Sequence, residues 1–375
     1  MLISVDQQAH NHDGTLKPWA VPFEGGKGRE HEEPADAERM ALVRDKQRII
    51  HSKLFKRLGG KTQVVTAGTA DHVRNRLFHS LEVAGLAESM ALTLGANPYL
   101  AWCIGALHDV GHTPFAHAGE DALKECMQRH EKEFEHNEQS LRTVTELESP
   151  YPGIKGLNLT REVLEGLQKH SSPYDQVGKR FVSASVEAQL VDEADSIAYY
   201  SGDLDDGIRL GILKEEDFTK LKIWKKCAGE GIDPVKDRAQ VIKSMINLMV
   251  TSILEQTDAN IERLGIETLE DVYNCKERIV DHKTEVAEMI EQLDQYLFQN
   301  FYYSETVRDQ AKRGQGIITD LFNLFVENPT ILEAQLDRKI ADDEDIVIIT
   351  KDYVAGMTDH FATDLHSKLC AAQPA

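Results

Sequence analysis

From Val73 onward apolar residues recur at helical spacing, and nowhere does the chain alternate strand and helix as a parallel sheet requires. That pattern restricts the fold to all-α (mainly α), with at most a small β-hairpin. Val73 to Leu94 is apolar nearly all round and reads as a buried helix. Pro98 stands where a helix begins, and Tyr99 to Leu107 is again strongly apolar. Further helical stretches are Ala118 to Arg129, Asn137 to Leu147, Thr160 to His170 and Ser183 to Tyr200. The C-terminal half adds long amphipathic segments, roughly Pro234 to Leu264, Cys275 to Asn300, Ser304 to Val326 and Asp342 to Leu369. Upstream, helical periodicity starts near Ala37 and stops at Gly59-Gly60. Thr62 to Thr66 is β-prone and would supply the hairpin, with a partner that periodicity does not place.

Residues 1–36 read as a flexible arm, interrupted by Gly25, Gly26 and Gly28 and followed by Pro34. Residues 37–375 read as a single domain, with a core over about 70–210 and a helical C-terminal part over about 211–370. With 41% hydrophobic residues the chain can bury a large core. Its formal net charge of -21 repels polyanions at long range, which argues against extended duplex nucleic acid as a partner. An anionic substrate would then need a metal ion and a few well-placed cations. Five widely spaced cysteines without a CxxC pair fit a reducing compartment. The polar N-terminus lacks the apolar stretch of a signal peptide, and no apolar run is long enough to span a bilayer, so a cytoplasmic location is expected.

Chemistry concentrates at His79, His108-Asp109, His112 and His117. His108-Asp109 ends an apolar helix and is followed at once by Gly111 and Pro114, placing two metal-ligating side chains at a helix mouth. His79 lies among Val83, Leu86 and Met90 on the preceding helix, and a buried histidine needs a partner. Imidazole and carboxylate ligands suit Fe, Mn, Ni, Co or Zn, or Mg with more water retained. A further carboxylate should come from the helix over Ser183 to Tyr200. Asp195, Tyr199 and Asp203 recur there at i, i+4 and i+8, a stripe with roughly 6 Å between members. Asp192 lies on nearly the same face, and periodicity does not decide between Asp192 and Asp195.

Several segments resemble, in order, the HD-domain dGTPase-like deoxynucleoside triphosphate triphosphohydrolase family. They are Arg48 to Ser52 with Arg57 to Val64, Arg74 to Val83, His108 to Glu120, Glu187 to Asp206, and Asp352 to Asp359. The resemblance runs from about Ala37 to about Leu369. It implies a largely helical, usually homo-oligomeric and often hexameric enzyme that hydrolyses deoxynucleoside triphosphates to deoxynucleoside and tripolyphosphate. It implies a divalent metal (Mn, Fe, Ni, Co or Mg) on His79, His108, Asp109 and Asp195, with a second Mg on the triphosphate. His117 and Glu120 would be a catalytic pair, Glu120 orienting His117 and raising its pKa. Arg76 and His112 would contact phosphate, Tyr199 would pack on the sugar, and Asp203 would bind its 3′-hydroxyl. Arg57 would reach the sugar or base, and His136 would line the pocket unless it faces solvent from a helix start. One departure stands out. Some members carry a lysine after the metal-binding aspartate, and here that residue is Ser196. The terminal-phosphate cations are therefore open among Lys169, Lys179, Arg180, Arg209 and Lys243. Two other readings compete: an HD phosphatase or phosphodiesterase acting on monophosphates or cyclic dinucleotides, and a nucleotide sensor or single-strand-binding regulator.

Overall fold

A computed structural model describes residues 3–23, 26–34, 36–64, 74–169 and 184–370. In chain order its helices are α1 (Val5–Asp13), α2 (Ala41–His51), α3 (Lys53–Arg57), α4 (Arg76–Leu94), α5 (Pro98–Leu107), α6 (Ala116–Gln128), α7 (His136–Arg142), α8 (Arg161–Lys169) and α9 (Val186–Arg209). There follow α10 (Glu215–Phe218), α11 (Lys222–Cys227), α12 (Arg238–Leu264), α13 (Leu269–Asn274), α14 (Thr284–Leu297), α15 (Glu305–Glu327), α16 (Pro329–Leu336), α17 (Ile346–Ala355) and α18 (Asp359–Leu369). The fold is all-α. Among the described residues β-pairing is limited to two isolated bridges, Thr62 with Asn75 and Arg29 with Thr160. Asn75 is thus the partner of the β-prone segment, whose far end, with Val73, lies outside the described residues.

Local chemistry explains where the helices break. Ser52 accepts the Phe55 amide and so splits the expected Ala37–Leu58 helix into α2 and α3. Thr358 caps α18 through the Phe361 amide, dividing the expected Asp342–Leu369 helix at Gly356 to Thr358. Asn75 caps α4, and Asn97 with Pro98 at the first turn starts α5. α4 is not buried all round as its composition predicts, because Phe78, Leu81 and Leu92 face solvent. α5 is buried along almost its whole length. Gly105 permits the contact between these two helices: a Cβ there would lie 2.9 Å from Cα of Ala84.

Residues of the N-terminal segment pack against the domain. They form α1, and Trp19, Ala20 and Val21 are buried in the main core. Glu187, fully buried on α9, anchors this segment by accepting the amides of Val21 (3.0 Å) and Asn97 (2.9 Å). The main core gathers apolar faces of α4, α5, α9, α12 and α14. A second cluster joins α6 to α15, α17 and α18. The His/Asp cavity lies between α4, α6 and α9. Among the described residues no helix is long and apolar enough to cross a membrane.

Candidate active site

Four side chains from three places in the fold converge. His79 projects from the second turn of α4, His108-Asp109 from the end of α5, and Asp195 from the middle of α9. Asp195 Oδ1 lies 2.8 Å from His79 Nε2 and 3.6 Å from His108 Nε2. Asp109 places Oδ2 at 3.8 Å from His79 Nε2 and Oδ1 at 3.3 Å from His108 Nε2. The ligating atoms of His79, His108 and Asp109 all lie within 4.8 Å of one another, and all three residues are buried. His108 Nδ1 donates to the Gly105 carbonyl at 2.7 Å, which fixes the tautomer and turns the Nε2 lone pair into the cluster. Two imidazole nitrogens and two carboxylates, converging, with Asp195 partly open to the cavity, fit a divalent cation. The charge balance agrees. Burial would raise the Asp109 pKa, but His108, Arg76 and His112 outweigh it and hold the carboxyl well below its usual range. Burial would lower the His108 pKa, yet Asp109 and Asp195 raise it to about 9. The pocket therefore favours a positive charge among these oxygens.

Structure separates Asp195 from the other acidic residues of α9. Glu187 holds the N-terminal segment, while Glu193 binds Arg278 and approaches His282 Nε2 at 3.3 Å. Asp192 is buried, with Arg278 in its field, whereas Asp195 lines the cavity.

A second polar cluster adjoins the first. Asp109 Oδ1 lies 3.1 Å from His112 Nε2, and His112 Nδ1 lies 3.3 Å from Glu120 Oε2. The other oxygen of Glu120 lies 3.1 Å from His136 Nδ1, and the rings of His112 and His136 stack at 3.9 Å. His136 is therefore buried in the site and does not face solvent. His117 also lines the cavity, its ring 6.1 Å from that of His112. The raised pKa expected for His117 is corrected. His117 stays open to solvent at the cavity rim, but desolvation by the surrounding walls, then the charges of His112 and Arg76, outweigh Glu120 and lower its pKa to about 4. Arg76 is 2% exposed and donates to Asp109 Oδ2 at 2.7 Å; its Nε has no hydrogen-bond partner among the described residues, leaving a buried donor for an anion.

The remaining expected residues divide. Tyr199 lines the cavity one turn beyond Asp195. Asp203, a further turn along, is buried behind it and accepts a hydrogen bond from the Tyr302 hydroxyl. Burial raises the Asp203 pKa to about 7 despite that bond. Arg57 does not line the cavity. It donates to the Gly356 carbonyl at 3.1 Å and borders a separate cavity beside α3 and α17. Arg209 is tied to Asp206, and Lys243 lies on the exposed face of α12. Lys179 and Arg180, and the side chain of Lys169, lie outside the described residues.

Sequence reasoning did not single out several groups that build the site. Tyr302 arrives on a π-helical turn, Phe298–Tyr302, that extends α14, and its ring stacks on Tyr199 at 5.8 Å. The buried Lys61 ammonium donates to the carbonyls of His112 and Ala355. Ser140 donates to the His108 carbonyl (3.0 Å) and accepts the Gly111 amide (2.9 Å). A Cβ at Gly111 would lie 2.2 Å from the His136 carbonyl, so only glycine lets this loop meet α7. The C-terminal motif braces the same loops from behind. Asp359 accepts the amides of Phe115 and Thr62, both at 3.0 Å. Phe115 and Ala116 carry the chain into α6 with φ of 63° and 55°, a costly turn that this brace helps to hold.

A helical fold carrying this His/Asp quartet on α4, α5 and α9 defines an HD-domain phosphohydrolase. Residues 76–200 match the HD domain, and residues 280–368 match a phosphohydrolase-associated domain. A deoxyguanosinetriphosphate triphosphohydrolase-like protein of Geobacter sulfurreducens is 38% identical over 355 residues, 92% of each chain. A protein of the same description from Azoarcus sp. is 39% identical over 370 residues, covering 95% of this chain and 97% of the relative. One from Leptospira interrogans is 35% identical over 382 residues, 98% and 100% of the two chains. The chain belongs to the deoxyguanosinetriphosphate triphosphohydrolase-like family of HD-domain proteins.

Proposed function

We propose that the protein hydrolyses deoxynucleoside triphosphates to deoxynucleoside and inorganic tripolyphosphate. The observation that carries this reading is the position of Tyr199 and Asp203, one and two helical turns from Asp195 on α9, with Tyr302 packed against both. A nucleotide whose α-phosphate meets the quartet would present its sugar to that stripe. The names of the relatives support the same substrate class.

His79, His108, Asp109 and Asp195 would hold the divalent cation. Such an ion supplies a Lewis acid for a phosphate oxygen and lowers the pKa of water. Arg76 offers its buried Nε to the triphosphate while Asp109 keeps the guanidinium in place. Glu120 orients His136 by accepting from its Nδ1, and its other oxygen faces His112 Nδ1 at 3.3 Å. His117 borders the cavity beside the quartet, and an anionic triphosphate there would raise its proton affinity, which suits it to proton transfer at the 5′-oxygen. Tyr199 and Tyr302 wall the sugar on the side where a 2′-hydroxyl would project.

The test is to incubate metal-defined protein with each dNTP and NTP, singly and mixed, and to separate the products chromatographically. Deoxynucleoside with tripolyphosphate supports the reading. Orthophosphate or pyrophosphate as first product, or turnover of monophosphates or cyclic dinucleotides alone, overturns it.

A further inference from the structure

The cavity has an excess of carboxylates for a site that would take a triphosphate. Asp109, Glu120, Asp121 and Asp195 line it. Among the described lining residues the lysine and arginine cations are Arg76 and Lys124. Arg76 is committed in part to Asp109. Ser196, beside Asp195, contributes a hydroxyl that donates to the Asp192 carbonyl at 3.1 Å and no charge. The α9 wall therefore lacks a cation for the far end of a phosphate chain.

The α6 wall has one. His117, Glu120, Asp121 and Lys124 fall at i, i+3, i+4 and i+7 and share a face of that helix. Lys124 lies about 10 Å along the axis from His117, at a rise of ~1.5 Å per residue. Helical side chains lean toward the N-terminus, which is the metal end of α6. Accordingly the Lys124 ammonium reaches 3.2 Å from Glu120 Oε1, while the side chain stays 41% exposed at the cavity mouth. An ammonium has three donors, so Lys124 can keep Glu120 and still meet a phosphate oxygen.

We propose that the phosphate chain of the substrate runs outward along α6, and that Lys124 is the cation that binds its outer phosphates. The assignment rests on the triphosphate reading above and adds a direction: sugar toward Tyr199 and Tyr302 on the α9 side, phosphates toward Lys124 on the α6 side.

Calorimetric titration of inorganic tripolyphosphate into the metal-loaded protein, in excess Mg²⁺, tests this without turnover. Lys124→Ala should weaken tripolyphosphate binding by about 10-fold or more, the usual loss for a charge-assisted hydrogen bond. Lys124→Arg should restore most of it, and both variants should bind deoxyguanosine as wild type does. With dNTP substrate, Lys124→Ala should raise KM far more than it lowers kcat. Equal tripolyphosphate affinity in wild type and folded Lys124→Ala overturns the proposal. So does an equal loss of deoxyguanosine binding, which would mean a distorted cavity, and so does a wild type that binds no tripolyphosphate. A wild type that binds tripolyphosphate through Lys124 yet releases none from any dNTP would refute the activity and leave the phosphate site standing.

Discussion

Oδ1 of Asp195 lies 2.8 Å from Nε2 of His79, across 116 residues of sequence. That contact joins α9 to α4 at the point where α5 delivers His108 and Asp109. Asp195→Ala and Asp109→Ala should each lose bound metal and turnover, because each removes one of four converging donors. Asp192→Asn should keep its metal, since Asp195 is the α9 aspartate that lines the cavity. Elemental analysis of the three folded variants decides the matter; full occupancy in Asp195→Ala would remove it from the ligand set.

His117 touches the cavity without belonging to the quartet. His117→Ala should therefore retain metal and lower kcat by about 10²–10⁴-fold, the usual range for a general acid or base. Glu120→Gln loses the carboxylate that both His112 and His136 face, so it should also lower kcat, with metal near wild type. Steady-state kinetics beside metal analysis checks both. A raised KM with unchanged kcat in both variants would mean uniform binding in place of proton transfer.

Asp203 makes a prediction about stability. Burial raises its pKa to about 7 in the folded protein, against about 3.9 in an unfolded chain. Between these values the folded state binds the extra proton, so this group's contribution falls as pH rises from about 4 through 7. Asp203→Asn removes the titration and keeps an acceptor for Tyr302. Its melting temperature minus that of wild type should become more positive from pH 5 to pH 8. A difference that stays level or declines would mean that the ionised carboxylate is well accommodated.

The all-α fold and the gathering of His79, His108-Asp109, His112 and His117 were legible because they depend on helical spacing and on side chains whose burial demands a partner, whereas His136 entered only through resemblance. Asp195 could be chosen over Asp192 only through resemblance, since both lie on one face of α9; the distance to His79 separates them. Tyr302 could not be foreseen. It reaches Asp203 from α14 across 99 residues, on a π turn that carries no marked sequence signal. Arg57 stands apart for a related reason. Its motif is adjacent to the site, but its side chain turns to the Gly356 carbonyl on the far side of the loop. The Asp352–Asp359 motif was visible as a motif, while its bracing of Thr62 and Phe115 required the long-range packing of α18.

The stacked pair Tyr199 and Tyr302 gives the sharpest test of substrate class. Their rings lie 5.8 Å apart at 15°, and the Tyr302 hydroxyl donates to Asp203, so the pair is held as one wall. A wall on the 2′ side of a bound sugar admits deoxyribose and clashes with a ribose hydroxyl. Tyr199→Ala should lower dNTP turnover and reduce the dNTP-to-NTP ratio of kcat/KM. Tyr302→Phe keeps the ring and loses the hydroxyl that bonds Asp203 and Tyr199, so it should preserve more of that ratio than Tyr199→Ala does. Tyrosines that merely fill core would instead lower the melting temperature and leave the ratio unchanged in the folded fraction. Measuring the ratio and the melting temperature together for wild type and both variants separates the accounts. An unchanged ratio in well-folded Tyr199→Ala would take the tyrosine out of the sugar site and weaken the deoxynucleotide reading with it.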